Sequence, residues 1–531
     1  MVAVFAAISL TIGCLCLRLY TVGTNSPVTA MNSSHYKTVE LSAVRGDILD
    51  CEGKRLTDTD YDNYLALKPT ASAVSILESV ADRETLDNVT ERLSKGNAVC
   101  VNIGKAELNT DSDAFCVKVW KRYSENQLAQ HVIGYLNGEG SGVAGLEAAY
   151  DDILSTGKSL SVRFPCDANG RVISGARTEL CNTTVKGGSV NTTIDSDIQK
   201  FVENSLDMYG VTHGAAVVIE TDSGAVRAIA SRPVYDTDNL SKYIGRADSP
   251  FVNRALSAYA VGSVFKVCVA AAAIERGTEN FEYECHGVCE VDGVNFHCNA
   301  NKSHGKLNMQ KALEVSCNTY FIKLAQQVGE AALLETASAF GFGQSAELGG
   351  NIVASSGKLP KLETLKISGN LANFSFGQGD FTASCIQIAE MMAAVGGSGT
   401  YRKPYLVSSA EDSTGKKVYE HSDSYPIYAV SKSTANKLSK MLVSVVENGN
   451  ASKAKLINGV SAAGKTATAQ TGIYGENGEE ICNTWFGGYF PADNPKYAIV
   501  ILKQNGSSGA EDCAPVFKGI ADRMISDGML N

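Results

Sequence analysis

A serine and a lysine stand three positions apart at the start of a long apolar run near the middle of the chain. Residues 259–277 read YAVGSVFKVCVAAAAIERG, which places Ser263 and Lys266 in this relation. On a helix, the spacing i, i+3 brings two side chains onto one face. Burying a lysine in an apolar helix is costly unless its amine is used. We therefore expect burial to lower the pKa of Lys266 from about 10.4 toward neutrality, so that the neutral amine acts as general base for the Ser263 hydroxyl.

The surroundings distinguish this pair from other pairs with the same spacing. Six more occur, at Ser34/Lys37, Ser155/Lys158, Ser303/Lys306, Ser355/Lys358, Ser413/Lys416 and Ser452/Lys455. Only the pair at 263 and 266 follows a glycine, Gly262, that permits a tight entry into an almost wholly apolar helix. The apolar helix, not the spacing, singles this pair out.

Two further motifs supply groups that the same chemistry needs. In EVSCNTYF, Ser316 offers a hydroxyl for proton relay, and Asn318 offers an amide that can hold a substrate or Lys266. In AAGKTATAQTG, Lys465 and Thr466 lie on a predicted strand, where an ammonium and a hydroxyl can bind a carboxylate. A second lysine beside Lys266 would also lower its pKa by repulsion. Each motif alone could be an ordinary turn or polar strand, but all three in this order predict an acyl-transfer site.

Composition and charge bound the possible functions. The chain has 531 residues, 44% hydrophobic and 20% charged, with a net charge of −10. It can bury large cores in two or three domains, and the acidic balance argues against a nucleic-acid partner. Residues 1–22 are apolar enough for an uncleaved membrane anchor, with a lipoprotein signal ending at Cys14 as the weaker alternative. Because Arg18 follows the span, we expect a basic cytoplasmic lead ahead of this sequence.

The remaining chain divides into two regions. Residues 30–190 mix short polar and apolar segments, which predicts an elongated α+β stalk of the dimerisation or pedestal kind. Residues 191–531 begin with a strand and a helix ending at Gly210, followed by a hairpin around 222–224. The helices then dominate from 262 to about 395, and strands return at the end. We expect an α+β protein whose second region is an α/β domain, with a central antiparallel sheet flanked by helices and built from both ends of the region.

The fifteen cysteines suggest two environments. Cys268 and Cys385 lie in apolar runs and are predicted to be buried thiols. A dense segment, ECHGVCEVDGVNFHC, carries Cys285, His286, Cys289, His297 and Cys298. These spacings match no closed four-ligand zinc pattern, so a Cys285–Cys298 disulfide is favoured over a metal site, although the pairing stays open.

The three motifs together resemble those of the penicillin-binding proteins and β-lactamases. The similarity extends to RGDILDCEGKRLT, LAQHVIGYLNGEGSGVAGLEAAYDDIL, TTIDSDIQ, SPFVNRALSAYAVGSVFK, HGKLNMQKALEVSCNTYF, FSFGQGDFTASCIQIAEMMAAVGGSGTYRKPYLV and NTWFGGYFPADNPKYAIV. These segments are similar to those of class B penicillin-binding proteins, the monofunctional peptidoglycan D,D-transpeptidases, and cover nearly the whole chain from residue 45.

The resemblance implies a reaction and an assembly. Ser263 would attack the penultimate D-Ala carbonyl of a stem peptide, D-Ala would leave, and an amine of a neighbouring strand would resolve the acyl-enzyme. The backbone N–H groups of Ser263 and Thr468 would form the oxyanion hole, and Thr466 and Thr468 would help Lys465 to bind the terminal carboxylate. β-Lactams would acylate Ser263. The resemblance implies neither a metal nor an organic cofactor. It does imply a polytopic glycosyltransferase as partner, and a single-pass protein of the cell membrane with an extracytoplasmic catalytic domain.

The sequence also departs from the family pattern. Ala467 replaces the glycine of the usual K-T-G, Val261 replaces a proline, Cys51 replaces an arginine, and AAVGGSG lacks an asparagine. Ala467 bears on substrate fit and antibiotic affinity. Two alternatives remain: a serine β-lactamase, for which no deacylating glutamate motif is present, and a weakly catalytic sensor or scaffold, supported only by Ala467. Roles in elongation, division and sporulation fit equally well.

Overall fold

The computed structural model describes residues 35–108, 111–167, 169–181, 187–475 and 478–530. Of the described residues, those in 35–45, 58–124 and 156–181 form one compact unit, and those in 46–57, 125–155 and 187–530 form another. Three segments of the predicted stalk, 46–57, 125–155 and 187–190, therefore cluster with the second unit. The predicted boundaries at 30–190 and 191–531 stay a prediction. No helix within the described ranges is both long and apolar enough to cross a membrane. The anchor predicted over residues 1–22 lies outside those ranges.

The strands of the described residues are numbered in chain order: β1 (His35–Arg45), β2 (Asp47–Leu49), β3 (Asp60–Leu67), β4 (Val99–Asn102), β5 (Ala114–Lys121), β6 (Ser155–Cys166), β7 (Glu179–Cys181), β8 (Ser189–Thr192), β9 (Gly214–Glu220), β10 (Val226–Arg232), β11 (Ala258–Ala260), β12 (Tyr283–Cys285), β13 (Val288–Val291), β14 (Val294–His297), β15 (Gly305–Leu307), β16 (Ala346–Gly349), β17 (Ile352–Ala354), β18 (Thr382–Ser384), β19 (Thr400–Tyr401), β20 (Val407–Glu411), β21 (Lys417–Glu420), β22 (Ile427–Tyr428), β23 (Ala463–Tyr474), β24 (Glu480–Phe490) and β25 (Tyr497–Gln504).

The α-helices follow the same convention: α1 (Ala71–Glu78), α2 (Arg83–Ser94), α3 (Gln130–Ile133), α4 (Gly145–Ala149), α5 (Asp151–Leu154), α6 (Ser196–Met208), α7 (Lys266–Glu275), α8 (Met309–Glu314), α9 (Asn318–Val328), α10 (Glu330–Ala339), α11 (Leu362–Leu365), α12 (Ser368–Ser375), α13 (Cys385–Gly396), α14 (Lys432–Asn448), α15 (Gly509–Asp512) and α16 (Ala514–Ser526). Short 3₁₀ turns lie at Thr237–Lys242, Gly262–Phe265, Asn299–Asn301 and Ser452–Ala454.

The first unit holds two three-stranded sheets, in the orders β4-β3-β5 and β1-β6-β7. Successive side chains of a strand point to opposite faces, and β3 follows this rule. Leu65 and Leu67 share a buried cluster with Leu77 of α1 and Leu93 of α2. Ala66, between them, belongs to a different cluster that extends to Phe164 of β6. Each face of the β3 sheet therefore has its own apolar core.

The second unit is built around a five-stranded sheet in the order β10-β9-β25-β24-β23. All its neighbouring strands are antiparallel. Gly487 of β24 lies against Met392 of α13, whereas the preceding residue, Phe486, packs on Phe517 of α16. Helices thus cover both faces. The predicted hairpin around 222–224 and the predicted sheet drawn from both ends of the region are confirmed.

Helix α7 is buried in the helical part of this unit. Every residue from Lys266 to Ile274 is buried, and the 3₁₀ turn Gly262–Phe265 leads into it. The ring of Phe265 fixes this turn, because it lies against Phe374 and Phe381 at centroid distances of 4.6 and 4.4 Å. The start of α7 is therefore held by an aromatic cluster.

Candidate active site

Gly262 brings the turn before α7 close to strand β23. Its φ is +67°, and a Cβ at this position would lie 3.1 Å from both the Thr468 carbonyl oxygen and the Ala469 methyl. The Gly262 N–H also donates to the Gly377 carbonyl at 2.8 Å. Glycine meets both demands, the left-handed backbone and the close approach. Ser263, the next residue, is half-buried and therefore stands beside the strand at an accessible position.

Lys266 is fully buried and is held by the Ser316–Asn318 turn. Its Nζ donates to the Ser316 carbonyl at 2.7 Å and to Asn318 Oδ1 at 2.7 Å, and lies 3.3 Å from Ser316 Oγ. Burial lowers the pKa of Lys266 to about 8, because desolvation disfavours the charged amine. The predicted direction of this shift agrees with the structure. The amine's hydrogen bonds go to Ser316 and Asn318.

Ser316 and Asn318 flank a tight turn between α8 and α9. Ser316 has a φ of +55°, a left-handed conformation that costs free energy in a residue with a side chain and concentrates at functional sites. Asn318 is the first residue of α9, and its Nδ2 donates to the His297 carbonyl at 2.9 Å. Its Oδ1 is therefore oriented toward Lys266.

Lys465 reaches the same turn from strand β23. It is fully buried, and its Nζ donates to Ser316 Oγ at 3.0 Å and to the Thr466 carbonyl at 3.0 Å. Burial, with repulsion from Lys266 added, lowers the pKa of Lys465 well below its usual value. The Ser316 hydroxyl thus lies between two buried amines, which is the arrangement that a proton relay requires.

Strand alternation separates Lys465 from the two threonines. Thr466 is buried and its Oγ1 donates to Asn450 Oδ1 at 3.2 Å, while Thr468 is exposed and its Oγ1 accepts from the Gly509 N–H at 3.4 Å. Lys465 and Ala467 point to the other face. Ala467 pairs with Trp485 and is only 3% exposed. The methyl group that departs from the family pattern is therefore buried within the protein.

The buried environment distinguishes Lys266 from the lysines of the other six pairs, which are exposed or half-buried. The choice of Ser263 and Lys266 from seven candidates is consistent with this difference.

The cysteine-rich segment differs from its prediction. The expected Cys285–Cys298 disulfide is not formed, because the two Sγ atoms lie 3.8 Å apart and both cysteines are free thiols. The Cys298 Sγ instead lies 3.6 Å from that of Cys317, the middle residue of the Ser-Cys-Asn turn. His304 Nδ1 lies 3.3 Å from Cys285 Sγ. These four side chains form a cluster directly beside the site.

Sequence reasoning missed two members of this cluster, Cys317 and His304. It weighed Cys289, His286 and His297, none of which belongs to the group. The sequence did offer one indication, since Cys317 is the variable residue between the predicted site residues Ser316 and Asn318. The dense segment ends at Cys298, nineteen residues before Cys317, and therefore does not contain the whole cluster.

Comparison with known proteins identifies the family. The family described as "Penicillin binding protein transpeptidase domain" matches residues 214–522, and the chain belongs to it. It is 30% identical to "Stage V sporulation protein D" of Bacillus subtilis, over 77% of this chain and 64% of that protein. It is 25% identical to "Peptidoglycan D,D-transpeptidase MrdA" of Haemophilus influenzae, over 98% of this chain and 91% of that protein.

A solved structure shares the fold. Penicillin-binding protein 3 of Mycobacterium tuberculosis, in complex with aztreonam, superposes with a TM-score of 0.66 at 22% identity, covering 93% of this chain and 98% of that one. The mixed α/β fold predicted for the penicillin-binding region is confirmed. The resemblance to class B penicillin-binding proteins is confirmed as well.

Proposed function

We propose that this chain is a peptidoglycan D,D-transpeptidase that works through an acyl-enzyme on Ser263. The observation that carries the proposal is the convergence of two buried amines, Lys266 and Lys465, on the Ser316 hydroxyl, in the turn that also binds Lys266 through Asn318. The family match and a relative named as a peptidoglycan D,D-transpeptidase support this function over a β-lactamase or a sensor.

In the acylation step, Lys266 acts as the base. The neutral Lys266 amine takes the proton of Ser263 Oγ as this oxygen attacks the carbonyl of the penultimate D-Ala of a stem peptide. The tetrahedral intermediate then collapses, and the bond to the terminal D-Ala breaks. Its nitrogen receives a proton from the Ser316 hydroxyl, which is replenished by the lysines that donate to it. A D-Ala amine leaves and Ser263 carries the acyl ester.

In the second step an amine replaces D-Ala. The amine of a neighbouring stem peptide attacks the ester, gives up a proton along the same path in reverse, and Ser263 Oγ recovers its proton. The product is an amide cross-link. A β-lactam follows only the first step, because its opened ring remains attached and blocks the approach of the amine.

The oxyanion hole is assigned to the N–H groups of Ser263 and Thr468. In an extended strand, the N–H and C=O of one residue point to the same edge. The Thr468 carbonyl lies against Gly262, the residue before Ser263. This supports the assignment, because the Thr468 N–H then points toward the same side as Ser263. Strand β23 also ends the sheet order, so its outer edge suits an extended peptide. We assign binding of the substrate carboxylate to Thr466 and Thr468, together with Lys465, whose side chain lies on the opposite face of the strand.

The proposal extends to the membrane. We assign residues 1–22 to a single-pass anchor that holds the catalytic unit outside the cytoplasm, and we assign the partner role to a polytopic glycosyltransferase contacted through the anchor and stalk. The apolar sequence of residues 1–22 supports the anchor. Deleting residues 2–22 should abolish copurification with that partner and leave acylation intact, because the catalytic unit begins its described part at residue 46.

The decisive experiment is labelling of the full chain with a fluorescent penicillin, followed by peptide mapping of the adduct. We expect the label on Ser263 and its complete loss in Ser263→Ala. Ser413→Ala, from an exposed Ser-x-x-Lys pair, is the matched control and should label normally. A label on another residue contradicts the assignment of the nucleophile. Rapid release of hydrolysed penicillin from Ser263 would instead indicate a β-lactamase.

A further inference from the structure

The segment that joins helix α14 to strand β23 carries a residue outside the three motifs, Asn450. Its side chain bonds to Thr466, one of the two threonines assigned to the substrate carboxylate. We propose that Asn450 is a positioning residue, whose side-chain amide turns the Thr466 hydroxyl so that the hydroxyl proton points to that carboxylate. The inference deepens the proposed function and rests on it, because it concerns how the same site recognises an anionic substrate.

The bond between these two side chains runs from the interior of the protein to its surface. Thr466 is 4% exposed, whereas Asn450 is exposed to solvent. The distance between Thr466 Oγ1 and Asn450 Oδ1 is 3.2 Å. The amide therefore reaches the hydroxyl from the solvent side, which is the side from which a substrate must approach.

Backbone contacts fix Asn450 against the helix that leads to the Ser316 turn. Its N–H donates to the Glu314 carbonyl at 3.0 Å, and Glu314 is the last residue of α8. At Gly449, a Cβ would lie 2.8 Å from the Glu314 carbonyl oxygen and 2.9 Å from the Glu314 Cα, which is too close for any side chain. Glycine at position 449 therefore permits this approach, and it ties Asn450 to the segment that carries Ser316.

Glu314 is itself held by side chains of two helices. Its carboxylate accepts from the Ser444 hydroxyl of α14 at 2.6 Å and from the Lys311 amine of α8 at 2.7 Å. Glu314 is 3% exposed, and breaking buried hydrogen bonds to a charged group is costly. The backbone of Asn450 is therefore fixed, and rotation of its side chain is the motion left to it.

The number of protons on the hydroxyl determines what this rotation does. A hydroxyl donates one proton, and a carboxylate only accepts. While Thr466 donates to Asn450 Oδ1, its proton does not reach the substrate. When the amide turns over, Nδ2 donates to Thr466 Oγ1 and the hydroxyl proton is released for the carboxylate. The new bond to the anion is charge-assisted and stronger than the bond it replaces, and water can satisfy the exposed end of the amide in either orientation.

The test compares benzylpenicillin with its methyl ester, which keeps the ring and lacks the carboxylate, as acylating agents of the full chain. The second-order rate constants for labelling of Ser263 should show that the wild type prefers the free acid. Asn450→Ala should lower the rate with the free acid roughly tenfold, because a hydrogen bond to a charged group is weakened, and should leave the rate with the ester unchanged. Asn448→Ala removes a neighbouring exposed amide that bonds to Ser444, and it should change neither rate.

The kinetic form of the loss separates positioning from a structural role. Thr466 contacts the carboxylate before and during the reaction, so the loss should lie in the dissociation constant of the complex that precedes acylation, with the rate constant at saturation retained. Asn450→Gln keeps a donor and should recover part of the preference for the acid. Asn450→Asp keeps the size and the acceptor but cannot donate when ionised, so it should lose more of that preference than Asn450→Ala.

Three results would overturn the proposal. The first is acylation of Asn450→Ala by the free acid at the wild-type rate. The second is an equal loss with acid and ester, which would show that Ser316 or Lys465 had been displaced. The third is a wild type that does not distinguish acid from ester, which removes the carboxylate contact, whereas labelling of Ser263 by both compounds would still support the proposed transpeptidase.

The remaining outcomes are also decisive. Absence of any adduct on Ser263 would refute the proposed function and this inference with it. Thermal melting checks the folding of each variant, and if Asn450→Ala does not fold, the ratio of acid to ester in Asn450→Asp decides in its place. An unchanged ratio in folded Asn450→Asp would refute the positioning role.

Discussion

The two units each bury a lysine, and the surroundings of the two amines differ. In the first unit, Lys68 is 1% exposed, and its Nζ donates to the Ser112 and Ala176 carbonyls at 2.5 and 2.6 Å. The Asp113 carboxylate lies 3.8 Å from the same amine. In the second unit, Lys266 has a carbonyl, a hydroxyl and an amide oxygen as partners. It forms no ion pair with a carboxylate of the described residues.

This difference shows that burial by itself does not make a lysine reactive. A buried ammonium with a carboxylate and two carbonyls is compensated and works as a structural cation. The buried Lys266 amine, with uncharged hydrogen-bond partners, is driven toward its neutral form, because desolvation lowers its pKa more than the nearby Cys317 and Cys298 raise it. The prediction from the sequence rested on burial of Lys266, and the structure adds the condition that no carboxylate of the described residues compensates it.

The largest expected effect comes from Lys266→Arg. Arginine keeps the charge and stays protonated, so it cannot act as base. We expect penicillin acylation to slow by about 10²–10⁴-fold, measured by stopped-flow labelling of the full chain. Lys68→Arg is the matched change in the first unit and should acylate normally. Near-normal acylation in a folded Lys266→Arg protein would remove Lys266 from the role of base, so thermal melting must accompany the kinetics.

The pH dependence of acylation sharpens the same comparison. Because the pKa of Lys266 is lowered to about 8, its reactive neutral form is lost as pH falls below this value. The acylation rate constant should therefore fall about tenfold per pH unit below 8 and level off above it. Lys465, Cys298 and Cys317 are the titratable groups that face Lys266 and can move the midpoint. Lys68→Met should leave the profile unchanged. A flat profile across this range would contradict a titrating base.

Lys68→Met should affect stability and leave acylation intact. The substitution leaves the Ser112 and Ala176 carbonyls without their donor, which should cost about 2–4 kcal/mol in the free energy of unfolding. The chain has two tryptophans, and Trp120 belongs to the first unit, so its fluorescence during urea unfolding can report this loss. Lys95→Met, which removes an exposed ion pair with Glu91, is the control and should change little. Lost acylation in a folded Lys68→Met protein would give Lys68 a role beyond structure.

The smallest effect is expected from Ala467→Gly, next to Lys465. Because the Ala467 methyl is buried, removing it should change acylation by less than about twofold and cost about 0.5–1 kcal/mol of stability through greater backbone freedom. Kinetic labelling and urea unfolding measure the two quantities. A large acceleration would show that the methyl obstructs the substrate, as the departure from K-T-G had suggested.

The sequence by itself singled out Ser263 and Lys266 as the predicted nucleophile and base, and it determined the hairpin and the sheet built from both ends of the second region. These features are local: a glycine before an apolar helix, an i, i+3 spacing, a strand with alternating side chains. Only the tertiary structure decided that Lys266 bonds to Ser316 and Asn318, that Ala467 is buried, and that Cys317 and His304 meet Cys285 and Cys298. These contacts join residues far apart in the chain. Their geometry depends on how helices, strands and loops pack together, which no spacing along one segment specifies.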